Sequence, residues 1–339
     1  MSHYLITGAA GFIGARTSEI LIGQGHTVVG IDNLNDAYDP RMKDYRLKKL
    51  QAMPGFAFVK ADISERVILD HPTLNLQPFD GVINLAARAG VRYSVEDPWI
   101  FLQSNVTGTL NMLEVARQSN SCKFILASTS SIYGANPAYP TPETESSSEP
   151  LQPYAASKKG AEVLTHSYHH LYNIDTTILR FFTVYGPAGR PDLALFRFVQ
   201  WILEGRPVRI NGDGEQSRGF TYIDDIARGI IAALKPVGYE VINLGGHEVI
   251  TINNLVTLIE DITGKKAIVQ HGPPNPADMF TNWADVSKAR PTRQICSPTG
   301  PMSARPAVCS AGRPNMTCAA ARKNWSNGTW QNAAGRRMF

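Results

Sequence analysis

Cysteine is scarce in this 339-residue chain, with only Cys122, Cys296, Cys309 and Cys318 present. Their spacings match no zinc pattern, and no disulfide framework is implied, so a metal-stapled or disulfide-stapled module is excluded. Long hydrophobic runs are missing as well. No stretch reaches the roughly 18 apolar residues of a membrane span, and Tyr4-Leu5-Ile6-Thr7 already reads as a strand where a secretory signal would need its apolar core. The expectation is a cytoplasmic protein without membrane contact, in which the Asn-x-Ser/Thr matches at Asn105, Asn315, Asn324 and Asn327 are chance.

The third lack is local. Residues 290–339 contain no Asp, no Glu and no leucine, but eight Lys/Arg and five prolines. The formal net charge of +4 therefore belongs to this segment, because residues 1–289 hold 25 basic against 29 acidic side chains. A basic protein invites a nucleic-acid reading, yet no recognisable nucleic-acid module accompanies the charge, and no nucleic-acid partner is expected. Five prolines, unopposed positive charge and few large apolar residues predict that 290–339 packs poorly.

What is present is a rhythm. Short apolar runs at 4–7, 27–32, 56–60, 81–86, 123–127 and 176–182 alternate with helix-length segments, which predicts an α/β fold: a doubly wound, Rossmann-like parallel sheet. Between the first two runs stands Thr7-Gly8-Ala9-Ala10-Gly11-Phe12-Ile13-Gly14. Glycines placed between a strand and a helix let backbone N–H groups approach a pyrophosphate at the helix N-terminus. Asp32 ends the second run, where a carboxylate accepts the ribose hydroxyls of an adenosine and repels a 2′-phosphate, favouring NAD over NADP. Asp62-Ile63 after the third run and Leu85-Ala86-Ala87 after the fourth stand at strand carboxyl ends, where such sheets hold ligands.

The polar stretch 33–53 reads as a loop and an exposed helix, 99–118 as one long helix with Leu102, Val106, Leu110, Leu113 and Ala116 on a core face, and 212–219 as a loop. The glycines and prolines of 186–191 mark a boundary, giving a dinucleotide domain over 1–185, a smaller α/β substrate domain over 186–289 with some strands returning to the first, and the atypical segment 290–339. His169 and His170 lie on a helix without a partner pattern and read as structural.

Tyr154 and Lys158 stand four residues apart in a helical pattern, on one face and one turn apart. An ammonium close to a phenol favours the phenolate, so this tyrosine is expected to work as a general acid and base. Thr129, Ser130 and Ser131 gather hydroxyls at the end of the fifth run.

Taken together, Thr7-Gly8-x-x-Gly11-Phe-Ile-Gly14, Asp32, Asn84-Leu-Ala-Ala87, Asn105-Val-x-Gly-Thr109, Thr129 and Tyr154-x-x-x-Lys158 resemble the extended short-chain dehydrogenase/reductase superfamily over residues 1–289. Within it, the strings 89–94, 179–187, Gly189-Arg190-Pro191 and Phe220-Thr221-Tyr222-Ile223-Asp224-Asp225 look like UDP-glucuronate 4-epimerases. The resemblance implies Thr129, Tyr154 and Lys158 as the catalytic triad. It implies Arg190 and Arg218 on the UDP diphosphate, and Thr183, Ser130 and Ser131 on the sugar carboxylate. It places Asn33, Asn105 and Phe181, besides Tyr154 and Lys158, with the NAD cofactor, and Arg88 and Asp278 with the UDP-sugar. It also implies a homodimer formed by helices on either side of a four-helix bundle. No metal is expected.

Two departures stand out. Relatives usually carry Arg-Asp-Phe where this chain has Arg218-Gly219-Phe220, removing a carboxylate that could brace the arginine, and after Ala289 the family's terminal helices do not follow. The activity implied is inversion at C4 of UDP-glucuronate. Other nucleotide-sugar epimerases, dehydratases or decarboxylases of the superfamily, and a non-catalytic NAD-binding scaffold, remain open alternatives. Dehydratases and decarboxylases place an acid beside the catalytic Thr or Ser, where Ser130 and Ser131 stand here.

Overall fold

The computed structural model describes residues 1–75, 78–246, 248–275 and 279–289, together with 330–331 and 337–338. Seven parallel strands form the main sheet: β1 (His3–Thr7), β2 (Thr27–Asp32), β3 (Phe56–Lys60), β4 (Gly81–Asn84), β5 (Lys123–Thr129), β6 (Asp175–Phe181) and β10 (Tyr239–Leu244), in spatial order β10-β6-β5-β4-β1-β2-β3. The order reverses between β1 and β4, which opens a crevice at their carboxyl ends.

Alternation along the strands decides what covers each face. Leu5, Val29, Ile31, Phe124 and Leu126 point to one side and pack with Met112, Leu113 and Ala161 of helices α4 (Gly108–Gln118) and α5 (Pro153–Tyr172). Tyr4, Ile6, Val28, Ile83 and Ile125 point to the other, against Leu21 of α1 (Phe12–Gly23) and Ile226 and Ile230 of α7 (Ile223–Ala232). Pro153 at the first turn suits the start of α5, because a missing N–H costs nothing there. Asn173 closes the helix in left-handed conformation, its N–H bonded to His169 O.

The second unit combines α6 (Ala194–Glu204) and α8 (Ile252–Thr263) with short strands. β7 (Thr183–Tyr185), β11 (Val249–Thr251) and β13 (Thr281–Asn282) all pair with β9 (Ser217–Tyr222), and β8 (Pro207–Asn211) pairs with β12 (Ile268–Gly272). Phe198, Ile202, Ile210, Leu255 and Ile259 form its core.

Three expectations are corrected. The helix over 99–118 is broken into α3 (Pro98–Leu102), a π-helical turn at Gln103–Thr107 and α4, and Leu102 is exposed rather than in the core. The extra residue per turn shifts the apolar face, so only the α4 part faces the sheet. α2 (Pro40–Gln51) is not an exposed helix: Met42, Leu47 and Leu50 are buried, and so are Lys43 and Arg46. Residues 217–219 belong to β9, whose pairing with three strands overrides the loop-like local composition.

The expected poor packing of 290–339 lies outside the described residues, apart from β14 (Trp330–Gln331) and β15 (Arg337–Met338), which pair antiparallel.

Candidate active site

The carboxyl ends of β1, β2, β4, β5 and β6 open on a cleft of about 1800 Å³ that runs on to α6 and β9 of the second unit. At its cofactor end the glycines are structurally required. Gly8 has φ +69, and a Cβ on it would stand 2.9 Å from Ala86 N. A Cβ on Gly14 would stand 2.2 Å from Gly8 O, and one on Gly11 2.8 Å from the same oxygen. The loop therefore folds tightly against the start of α1, whose N-cap, Gly11, offers no side chain to the first amides. A pyrophosphate fits there: free N–H groups point at an anion and no Cβ blocks its approach. Phe12, Ile13 and Gly14 line the same wall.

Asp32 is buried at the end of β2, where it accepts from Ala10 N at 3.2 Å and Leu34 N at 2.8 Å, with Lys43 Nζ at 3.5 Å. Burial lowers the Lys43 pKa against the opposing pull of Asp32. Asn33 donates to Asp62 at 2.7 Å, so these two expected adenosine contacts are held together, with Ile63 beside them. Leu85, Ala86, Ala87, Arg88 and Phe181 also line the cleft. Asn105 stands behind it, fully buried. Its amide accepts from Arg88 N at 2.8 Å and donates to Arg88 O at 3.0 Å and Ser157 Oγ at 2.9 Å, locking the segment after β4 to α5.

Thr129, Tyr154 and Lys158 meet midway along the cleft. Thr129 stands beside the Tyr154 phenol and favours its ionised form, and Thr129 Oγ1 accepts from Ser131 N at 3.1 Å. Lys158 donates to Ala127 O at 2.8 Å. Burial lowers its pKa to about 8, against the opposing effect of Glu162. The expected lowering of the phenol by the lysine needs correction. Burial raises the Tyr154 pKa, and the opposing influences are Thr129 and the charge of Arg190. The lysine ammonium is turned to the carbonyl of β5 instead.

Further along, Ser130 accepts from Asn282 Nδ2 at 2.9 Å, and Ser131 and Thr183 line the wall. Arg190 reaches Asp192 (Nε 3.0 Å, Nη2 2.5 Å) and Ala89 O at 3.2 Å. Burial opposes its charge, and Asp192 more than restores it. Arg218 donates to the carbonyls of Ser217 (2.7 Å), Phe280 (3.0 Å) and Met279 (2.6 Å), so main-chain oxygens supply the bracing that a neighbouring aspartate would give. Gly219 has no room for a side chain, because a Cβ would stand 2.8 Å from Gly246 O and 3.0 Å from Trp283 Cβ. Asp278 lies outside the described residues.

One buried group escaped the sequence reading. Glu162, one turn beyond Lys158, takes both Nε (3.0 Å) and Nη2 (2.9 Å) of Arg180 and the Ser128 hydroxyl (2.6 Å). Arg180 Nη1 bonds Tyr133 OH at 3.0 Å, and that hydroxyl donates to Asn243 at 2.6 Å. This network ties α5 to β5, β6 and β10 beneath the hydroxyls. Its only trace in the sequence is an acid four residues after a lysine, which occurs on many exposed helices.

A phenol beside a threonine, with a buried lysine one turn on and an uncapped helix N-terminus across the crevice, is the working arrangement of the extended short-chain dehydrogenases/reductases. The match can be narrowed. The model of the NAD dependent epimerase/dehydratase family fits residues 4–245, and the chain belongs to that family. It is 52% identical over 291 residues to the UDP-glucuronate 4-epimerase of Thermodesulfobacterium geofontis, covering 86% of this chain and 90% of that one. The crystal structure of the Bacillus cereus UDP-glucuronic acid 4-epimerase in complex with UDP-glucuronic acid and NAD superposes with TM-score 0.82 at 39% identity, over 89% of this chain and 95% of that one. The UDP-glucose 4-epimerase of Thermotoga maritima with UDP-glucose gives TM-score 0.78 at 32% identity, over 85% and 91%.

Proposed function

We propose that this chain is an isomerase, a NAD-dependent 4-epimerase that interconverts UDP-glucuronate and UDP-galacturonate. The observation that carries the reading is Thr129 beside Tyr154 in the same cleft as Lys158, the glycine-bordered helix end and Arg190, and the 52% identity to a UDP-glucuronate 4-epimerase supports the choice of sugar. NAD, held by the α1 N-terminus and Asp32, supplies a reversible two-electron acceptor. Tyr154 takes the O4 proton as C4 is oxidised and returns it to O4 when C4 is reduced from its other face, with Thr129 orienting O4. Lys158 fastens the helix that carries Tyr154 through the Ala127 carbonyl and holds the cofactor's ribose. Arg190 and Arg218 receive the diphosphate, for which a guanidinium fork is well suited. Ser130, Ser131 and Thr183 hold the sugar carboxylate. That grip matters because the 4-keto intermediate is a β-keto acid, and hydroxyls that fix the carboxylate in the carbonyl plane suppress loss of carbon dioxide.

The working form is a homodimer in the cytoplasm. Trp99 on α3 is 78% exposed, and Val163 and Leu171 on the adjoining α5 are 56% and 65% exposed, an apolar surface on paired helices that a second copy would cover. Among the described residues no helix is long and apolar enough to cross a membrane. Residues 1–185 form the cofactor domain and 186–289 the substrate domain, with β10 returned to the first.

Product analysis after separate incubation with UDP-glucuronate, UDP-glucose and UDP-N-acetylglucosamine tests the reading. UDP-galacturonate from the first, with little change in the others, is expected. Turnover of a neutral sugar alone moves the assignment to another epimerase, and no turnover of any moves it to a scaffold.

A further inference from the structure

Arg46 on α2 is only 3% exposed and does not line the cleft. Its guanidinium makes five hydrogen bonds. Nη1 donates to Ala10 O at 3.1 Å and Tyr38 OH at 2.8 Å, Nε to Ala188 O at 3.1 Å, and Nη2 to Ala188 O at 2.7 Å and Gly189 O at 3.2 Å. None of these acceptors carries a charge. Burying an arginine for stability alone calls for an anion beside it. Here the fork is spent on main-chain oxygens of two segments far apart in sequence, the glycine-rich loop before α1 and the loop that delivers Arg190.

The second loop needs holding. Gly186 has φ +151, and Ala188 has φ +54, a left-handed conformation that a Cβ disfavours and that persists only where surroundings impose it. The Ala188 carbonyl is the one Arg46 grips twice. One aromatic ring joins the two arginines, since Tyr38 has the Arg46 guanidinium 5.6 Å from its centroid and that of Arg190 5.7 Å away.

We propose that Arg46 is a positioning residue that clamps the Arg190 loop onto the glycine-rich loop, so that seating the cofactor pyrophosphate and presenting Arg190 to the sugar nucleotide become one event. The inference rests on Arg190 as a substrate ligand. By reciprocity, each ligand then strengthens the binding of the other.

The test is Arg46→Lys in the NAD-containing protein, which keeps the charge and loses the fork. The expected result is a KM for UDP-glucuronate raised about tenfold with kcat within about threefold. Amide exchange at residues 186–191 should quicken about tenfold while β1, β4 and β5 keep their protection. Ala188→Gly, which makes left-handed backbone easy at that position, should restore most of the KM in the Arg46→Lys background and change little alone. A general loosening would move kcat, KM and sheet protection together and would not respond to glycine. Wild-type exchange at 186–191 with KM within about twofold overturns the clamp. If the wild-type protein does not turn over UDP-glucuronate, the substrate reading has failed, and the exchange measurement alone decides the clamp. Should Arg46→Lys not fold, Tyr38→Phe removes one acceptor and should give the same pattern at smaller size, and unchanged values there count equally against the proposal.

Discussion

Lys158 donates to the carbonyl of Ala127 at 2.8 Å, and this bond fastens the helix that carries Tyr154 to the strand that ends in Thr129. The lysine is almost wholly buried, with its pKa lowered by burial from 10.5 to about 8. An alkaline limb in kcat/KM near pH 8 is therefore expected, as the ammonium that holds the cofactor's ribose is lost. The stability effect has the opposite sign. Between pH 8 and 10.5 the unfolded chain holds this proton and the folded chain does not, so the wild-type protein gains stability with rising pH relative to Lys158→Met. The gain should approach about 3 kcal/mol. Urea titrations of both proteins at the two ends of the window check it, and a difference independent of pH would refute it.

Tyr154→Phe removes the transferable proton and almost no volume. Turnover should fall at least about a hundredfold with NAD content unchanged. Retained activity of more than a few per cent, measured on protein of known cofactor content, sinks the assignment of the phenol.

The buried Asp32 carboxylate should exclude NADP, because a 2′-phosphate would be set against a fixed negative charge. Nucleotide released on denaturation, separated by chromatography, should contain NAD in at least about tenfold excess. Comparable amounts of the two would show that Lys43, 3.5 Å from Asp32, neutralises the carboxylate.

Gly219→Asp supplies the carboxylate that the resemblance implies at this position, yet it is expected to harm this chain. With Gly246 O 2.8 Å from the added Cβ, the backbone of β9 must shift, at a cost of about 1–3 kcal/mol. Thermal unfolding should occur earlier with no gain in KM. A tighter KM at unchanged stability would show that the carbonyl bracing of Arg218 is insufficient.

Trp99→Glu should give a monomer at micromolar concentration in sedimentation, where a dimer is expected of the unaltered chain. A monomeric wild-type protein removes the basis for this expectation.

Six strands of the main sheet were legible as apolar runs, five of them because parallel strands buried on both faces read so and β3 at the edge through Phe56, Phe58 and Val59, and 27–32 and 56–60 match their strands to the residue. The seventh, β10, was not, since Tyr239, Glu240 and Asn243 interrupt its apolar character at the sheet edge. Leu102 was misplaced because a π-helical turn leaves no mark in a hydrophobic period. Around the site, the glycines, Asp32 and the Tyr–Lys pair were visible because spacing along one element defines them. The Glu162–Arg180 pair and the Arg46 clamp were hidden because they join elements distant in sequence. The direction of the Tyr154 shift was also out of reach, since it depends on burial and on Arg190, 36 residues away in the chain.

The return of β10 to the edge of the main sheet, beside β6, means that the chain leaves the cofactor half and comes back to it. A fragment ending at residue 185 would expose the hydrogen-bonding edge of β6 and lose α7, which covers one face with α1. Grafting a foreign sugar-recognition half onto this scaffold would consequently take more than one splice point, placed so that α7 and β10 both stay with the cofactor half.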